Sequence, residues 1–313
     1  MQTAAGSPTT ARAEAAESAR PERRPEWLKV RLRDVHAIAR MRPVLEGLHT
    51  VCESARCPNI GECWGRGTAT FMILGNLCTR RCSFCAVPQG TPEPPDPGEP
   101  ERLAKAAVAL GLQHVVITSV TRDDLSDDGA GQFAECIRAV RRRIPGASLE
   151  VLIPDFRGKA DALDVVMRET PEVLNHNIET VPRLYRRVRP RTSYKRSLEV
   201  LQRARTYGTS KTKSGFMVGL GETREEIFDT LRDLYSHDVQ IVTIGQYLKP
   251  KDHRIPMFRF VHPDEFAEFK QFGLELGFEH VESGPLVRSS YHAEAHVDRP
   301  LLQAVSPATA TSP

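Results

Sequence analysis

Six short apolar runs alternate with amphipathic stretches along most of this chain, and that alternation restricts its fold more than any other feature. Residues 71–74 (FMIL), 114–119 (HVVITS), 148–153 (SLEVLI), 173–177 (VLNHN), 213–218 (KSGFMV) and 240–244 (QIVTI) read as strands. Helical patterns fall near 100–110, 129–143, 160–168, 193–206 and 223–236. Strands that alternate with helices build βαβ units and a parallel sheet. Most strands run on into polar or glycine-rich residues: TSVTRDD, IPDF, NHNIET, GLGET and GQY. In a barrel those ends form one mouth, where chemistry is usually placed. Six units are too few for a closed eight-unit barrel, so the expected fold is an α/β partial (β/α)6 barrel with an open side. An open doubly wound sheet is the alternative, because periodicity alone does not decide closure.

A chain of 313 residues is long enough for one large domain of this kind. Lys and Arg total 43 against 40 Asp and Glu, a net charge of +3, which is too balanced for a dedicated nucleic-acid binder. No run approaches the apolar length that spans a bilayer. Residues 1–25 are rich in Ala, Thr, Ser, Glu and Arg and have no apolar core of a secretory signal, so a disordered tail is expected there. The closing residues 296–313 read the same way. A cytoplasmic location follows as an expectation from the lack of an export signal.

Six of the seven cysteines form two triplets: Cys52, Cys57 and Cys63 at C-x4-C-x5-C, and Cys78, Cys82 and Cys85 at C-x3-C-x2-C. In a reducing compartment, thiols this close together bind metal or react more often than they pair. Cys136, inside the helical run GQFAECIRAV, reads instead as a small buried hydrophobe. The second triplet lies in the loop GNLCTRRCSFCAV, directly after an expected strand. Three thiolates on so short a loop can ligate three irons of a [4Fe-4S] cubane and leave the fourth iron open to a small molecule. A structural zinc site wants four protein ligands, and ferredoxin runs are spaced differently. This loop, including Phe84 before its last cysteine, resembles the radical S-adenosylmethionine superfamily. There the open iron is chelated by the cofactor, and one electron cleaves it to a 5'-deoxyadenosyl radical.

The first triplet, in VCESARCPNIGECWGRGTATFMILG, is also one ligand short of a cubane. Further blocks narrow the resemblance: EWLKVRL, ARCPNIGECW, TSVTRDDL, LEVLIPDF, NHNIETVPRLYRRVRP, KSGFMVGLGET, TIGQYL and GPLVRSSY. Across roughly residues 26 to 295 the chain resembles the lipoyl synthase family. The resemblance implies a radical-type partial barrel over 71–280, an N-terminal extension over 26–70, and a C-terminal segment over 281–295. The two extensions would carry an auxiliary [4Fe-4S] cluster on Cys52, Cys57, Cys63 and Ser290, the second serine of RSSY. It further implies insertion of two sulfurs, at C6 and C8 of an octanoyl group on a lysine of a lipoyl carrier domain. S-adenosylmethionine would be the radical source and the auxiliary cluster the sulfur donor, consumed and then rebuilt. Implied partners are octanoylated carriers (glycine cleavage H protein or the E2 type of 2-oxoacid dehydrogenases), a ferredoxin- or flavodoxin-like electron donor and an iron-sulfur carrier. Neither nucleic acid nor a membrane is expected.

Around the mouth, the resemblance places cofactor contacts at Ser119 and Thr121, and strand-end position suggests Asn175, His176, Asn177 and Glu179. Capping and turn closure are the ordinary alternatives for such residues. Arg189, in VRP, offers a guanidinium suited to a bidentate grip on a carboxylate. Gly219, Gly221 and Glu222 either approach the cofactor or only make a tight turn and start a helix. The basic stretch Arg183 to Arg196 can steer an acidic domain toward the mouth. Asp128 stands where the family pattern commonly has glycine, and Asp tolerates positive φ better than most residues. Two rival readings are a tRNA methylthiotransferase, for whose extra domains the chain has no room, and a zinc scaffold using the same thiols.

Overall fold

The computed structural model describes residues 23–29, 35–55, 57–250 and 255–297. All but the innermost few residues of the expected tails, 1–25 and 296–313, lie outside these. One sheet organises the rest. Its strands are β1 (His49–Thr50), β2 (Thr68–Ile73), β3 (His114–Ser119), β4 (Ser148–Leu152), β5 (Val173–Asn175), β6 (Lys211–Val218), β7 (Ile241–Gln246) and β8 (His280–Gly284), adjacent in that order. From β2 to β8 every pairing is parallel, and β1 joins antiparallel at the β2 edge. No pairing among the described residues joins β8 back to the first strands, so the barrel stays open on one side.

All six expected strands are present. Two were not foreseen: β1, only two residues long, and β8, whose HVESG carries a single valine and reads as polar. Every residue of β2 and β7 is buried, as it must be where helices cover one face and the barrel interior fills the other.

The helices are α1 (Val35–Val44), α2 (Val51–Ser54), α3 (Ile60–Gly65), α4 (Glu99–Ala109), α5 (Ala130–Arg143), α6 (Ala160–Met167), α7 (Tyr185–Val188), α8 (Tyr194–Arg205), α9 (Arg224–Ser236) and α10 (Pro263–Leu276). The five expected between strands are α4, α5, α6, α8 and α9. Helix α5 shows why they form: Phe133, Cys136, Ile137 and Val140 fall on one face at helical spacing, and all are fully buried. Cys136 is thus the buried hydrophobe its pattern predicts, and burial holds its thiol well above the ordinary range. Helix starts are fixed by side chains. Thr223 and Glu226 form a reciprocal capping box on α9, and the Ser193 hydroxyl accepts from Arg196 N–H on α8.

Beyond β8 the chain turns inward. Leu286 O accepts from Asn59 Nδ2 at 2.7 Å, and Glu294 accepts from Thr68 Oγ1 at 3.1 Å. The final turn, Ala293–His296, brings His296 to Lys213 near the start of β6 and to His280 at the start of β8. The C-terminal segment therefore runs from the strand ends to the strand starts and fills the barrel interior.

Candidate active site

Seven parallel strands place their C-terminal ends on one rim, and the segments that follow β2 and β8 start there. After β2, Leu74 and Gly75 turn the chain with positive φ (67° and 90°), and the Leu74 N–H is held by the Glu99 carboxylate at 3.0 Å. The cysteine loop is then pinned at several points. Cys78 N donates to Pro88 O, and Gly90 N returns to Cys78 O. Thr79 Oγ1 donates to Thr121 O at 2.9 Å and accepts from Asp123 N at 3.1 Å. Buried Arg80 grips Asp123 with two bonds of 2.7 and 2.8 Å and pairs with Asp155 at 2.7 Å. The loop is anchored from β3 and β4 before any ligand arrives.

The Cys78 sulfur accepts from the Arg80 and Thr121 N–H groups at 3.4 and 3.3 Å, and Cys85 from Val87 N at 3.5 Å. Burial pushes the Cys82 thiol up to about 11 against the pull of Arg189. It pushes Cys85 up to about 12, with Cys82 and Cys78 adding repulsion. Phe84 packs under the loop against the apolar group that includes Val188, Leu220 and Tyr247.

The first triplet is built on α2 and α3. Thr50 caps α2, Cys57 N donates to Cys52 O, and Cys63 N donates to Asn59 O. Burial and then Cys57 push Cys52 up to about 11. Burial, Cys57 and Cys52, followed by Glu294 and Glu62, raise Cys63. Two residues of the C-terminal segment lie opposite. Arg288 faces Cys57, Tyr291 faces Cys63, and the Tyr291 hydroxyl donates to Glu62 at 3.3 Å. Ser290 sits between them, half-buried. Residues from the two ends of the described chain thus meet around three thiols.

Of the residues expected to hold a cofactor, Ser119 Oγ, Asn175 Oδ1 and Arg189 Nε are buried without a partner. They make up three of only nine such atoms among the described residues. A buried polar atom left bare is costly unless something fills the place, so the residues present fit a polar ligand at this rim. The remaining Arg189 contacts, to Asn177 O at 2.6 Å and the Tyr185 hydroxyl at 2.9 Å, hold the guanidinium in place. Thr121 acts through its backbone, which serves the cysteine loop. His176 is different: Nδ1 meets Ile153 O and Nε2 meets Ser197 Oγ, both at 2.9 Å, so both ring nitrogens are satisfied by protein. Glu179 is raised by burial, with Arg189 opposing. Glu222 accepts from Gly219 N and Leu220 N at 2.5 and 2.9 Å, so GLGE closes on itself as a turn. No three His, Cys, Asp or Glu side chains among the described residues converge as ligands of one metal ion do.

Sequence reasoning passed over Ser289, Tyr185, Arg80 and the buried pair Glu150–Lys213. A signal existed for the last: single charges of opposite sign inside two apolar strand runs need each other.

A parallel partial barrel with a three-cysteine loop after its first barrel strand is the architecture of radical S-adenosylmethionine enzymes, and the Radical SAM superfamily matches residues 72–234. The fold resembles HydG, a maturase of the [FeFe]-hydrogenase, with a TM-score of 0.53 at 11% identity over 69% of this chain and 56% of that one. It also resembles Streptococcus suis SuiB bound to precursor peptide SuiA, with a TM-score of 0.53 at 12% identity over 68% of this chain and 48% of that one. An iron-sulfur cluster that binds S-adenosylmethionine belongs to this class. Within it, the chain is a member of the lipoyl synthase family. It is 58% identical to the lipoyl synthase of Rubrobacter xylanophilus, covering 88% of this chain and 87% of the relative, and 54% identical to that of Chlorobaculum parvum, covering 88% and 95%.

Proposed function

We propose that Cys78, Cys82 and Cys85 hold the radical-generating [4Fe-4S] cluster, with Ser119, Thr121, Asn175, Asn177 and Arg189 around S-adenosylmethionine. Cys52, Cys57, Cys63 and Ser290 hold a second, auxiliary [4Fe-4S] cluster. The activity is that of a lipoyl synthase: two sulfur atoms are inserted at C6 and C8 of an octanoyl group carried on a lysine of a lipoyl carrier protein. When bound, the first cluster and its cofactor supply the radical that breaks unactivated C–H bonds, and the second supplies sulfur. The observation that carries this reading is the meeting of Arg288–Tyr291 with the first cysteine triplet on a barrel that also bears the second triplet.

The protein's own groups prepare both sites. Burial disfavours the thiolates of Cys52, Cys57, Cys63, Cys82 and Cys85, so iron ligation must displace their protons. Backbone N–H groups of Arg80, Thr121 and Val87 already donate to the sulfurs and favour thiolate once it forms. The bare Nε of Arg189 is available to a carboxylate, and the bare Asn175 Oδ1 to a donor such as an amine. Serine is a hard oxygen ligand, more readily displaced from iron than a thiolate, which suits a cluster that is dismantled. In this reading the barrel over 71–280 makes radicals, while the extensions over 26–70 and 281–295 form the sulfur-donor site.

Carriers of the H-protein or E2 type, a ferredoxin- or flavodoxin-like reductant, an iron-sulfur carrier for rebuilding and a cytoplasmic setting belong to the same proposal. Among the described residues no helix is long and apolar enough to cross a membrane. The test is mass spectrometry of an anaerobic reaction with reconstituted protein, S-adenosylmethionine, a strong reductant and an octanoyl-lysine peptide. A lipoyl product with one 5'-deoxyadenosine per sulfur gained is expected. Formation of 5'-deoxyadenosine with no sulfur gained would remove the auxiliary-site assignment and leave the radical site standing.

A further inference from the structure

The serine before Ser290 makes contacts that its neighbour does not. Asn175 Nδ2 donates to the Ser289 hydroxyl at 2.9 Å, and that hydroxyl donates onward to Asn177 Oδ1 at 3.0 Å. One O–H thereby joins the RSSY segment to two carboxamides at the end of β5, more than a hundred residues away in sequence. The polarity of this bridge is imposed from below. Glu150 and Lys213, both fully buried, are paired at 2.9 and 3.0 Å, and the Glu150 carboxylate also accepts from Asn175 Nδ2 at 2.9 Å. An ionised carboxylate only accepts, so the Asn175 group facing it must be the NH2. Both of that group's hydrogens are thereby used, and Oδ1 is the atom left bare. The chain continues from Lys213 to His296 Nδ1 at 3.2 Å, so the segment is attached on both sides of Ser290.

We propose that Ser289 is a positioning residue that locks the Ser290 segment and the cofactor-facing amides into one unit. The proposal rests on the site assignment above. A hydroxyl suits the place because it accepts from one amide and donates to the other. Alanine would leave Asn175 Nδ2 with one partner and take the Ser289 donor from Asn177 Oδ1, loosening the cofactor cradle and the oxygen ligand together. Threonine keeps the hydroxyl.

The experiment uses reconstituted full-length protein with both clusters and compares wild type, Ser289→Ala, Ser289→Thr and Ser290→Ala. Two quantities besides turnover are read: the S-adenosylmethionine dissociation constant by equilibrium dialysis, and the Mössbauer spectrum of the auxiliary cluster at matched iron content. Ser289→Ala is expected to weaken cofactor binding about tenfold, the scale of a lost buried hydrogen bond. It is also expected to alter the auxiliary signal, and Ser289→Thr to recover both. Wild-type affinity and an unchanged auxiliary signal in Ser289→Ala would overturn the proposal. So would a Ser289→Thr protein with full iron content that behaves like Ser289→Ala, since shape alone would then explain the effect. Ser290→Ala separates the premises: if its auxiliary signal stays that of wild type, the ligand assignment fails, whatever Ser289 does to cofactor affinity.

Discussion

Asp128 shows how a non-glycine residue is held in left-handed backbone. Its φ of 55° lies in the left-handed region that glycine enters freely, and Asp is among the few side chains that tolerate it. The carboxylate, buried at 1% exposure, is tied to Arg157, at 3.1 Å through Nε, and to Lys159 at 3.1 Å. Both partners are well exposed, so solvent screens much of that attraction. Replacing Asp128 by Gly relieves the backbone while losing the pairs and should change stability little. Asp128→Ala loses the pairs, keeps the strained φ and should destabilise by about 1–2 kcal/mol. Thermal melts of the two variants check this, and an alanine protein as stable as wild type would show that the left-handed backbone is not what selects the residue. Residue-scale chemistry was unevenly legible in the sequence. Cysteine spacing speaks for itself because cluster ligation restricts both residue type and separation. Ser290 and Ser289 were indistinguishable from surface serines without the family pattern, because a hydroxyl gains its role only from what the fold brings beside it.

At the scale of elements, the stretch around α7 and the start of α8 sorts its charges into distinct duties. Arg183 pairs with Glu226, Lys195 with Glu199 and Arg196 with Asp155, while Arg189 is buried at the rim and Arg187 lies over the Phe258 ring. Among the described residues no carboxylate pairs with Arg186 or Arg191, and both are exposed. On the proposed function they are the charges left to attract an acidic carrier domain. Converting both to Glu should raise KM for an octanoylated carrier protein several-fold and leave KM for a short octanoyl peptide unchanged; equal changes for the two substrates would remove the docking role. Element recognition from sequence succeeded where burial and periodicity coincide, as in β3 and α5. It failed at β8, where only Val281 is apolar and the strand is recruited by its neighbour β7. Helix α10 was overlooked although Phe266 and Phe269 sit at helical spacing and are fully buried, because Gly273 and Gly277 punctuate the run. The Glu150–Lys213 pair shows in the sequence only as opposite charges inside two apolar runs; its geometry does not, because β5 lies between their strands and barrel curvature brings the two side chains together across it.

For the whole molecule, buried imidazoles set the response to acid. Burial, then Arg189, lowers His176 from 6.5 to about 4, and burial, then Lys213, lowers His114 from 6.5 to about 3. Below 6.5 the unfolded chain takes up protons that the folded state refuses. The stability these two histidines contribute is therefore complete above pH 6.5 and falls by about 1.4 kcal/mol per pH unit for each until its folded value is reached. Urea unfolding between pH 7 and 5 should show this slope, and His176→Gln should make it shallower by one histidine's share; an unaltered slope would locate the acid sensitivity elsewhere. The open side of the barrel has a consequence of another kind, for synthesis. Asn59, beside the first triplet, and Leu286, beside RSSY, are 227 residues apart, yet they form one wall. At ordinary translation rates of roughly 5–20 residues per second, the thiols of Cys52, Cys57 and Cys63 leave the ribosome on the order of ten to fifty seconds before the segment that covers them. The loop carrying Cys78, Cys82 and Cys85 is anchored first by β2 to β4, and the other residues it packs against, Val188, Leu220 and Tyr247 among them, precede the RSSY segment. Of the two cysteine triplets, the one proposed to donate sulfur is thus finished last, and a nascent chain stopped short of residue 286 presents three uncovered thiols.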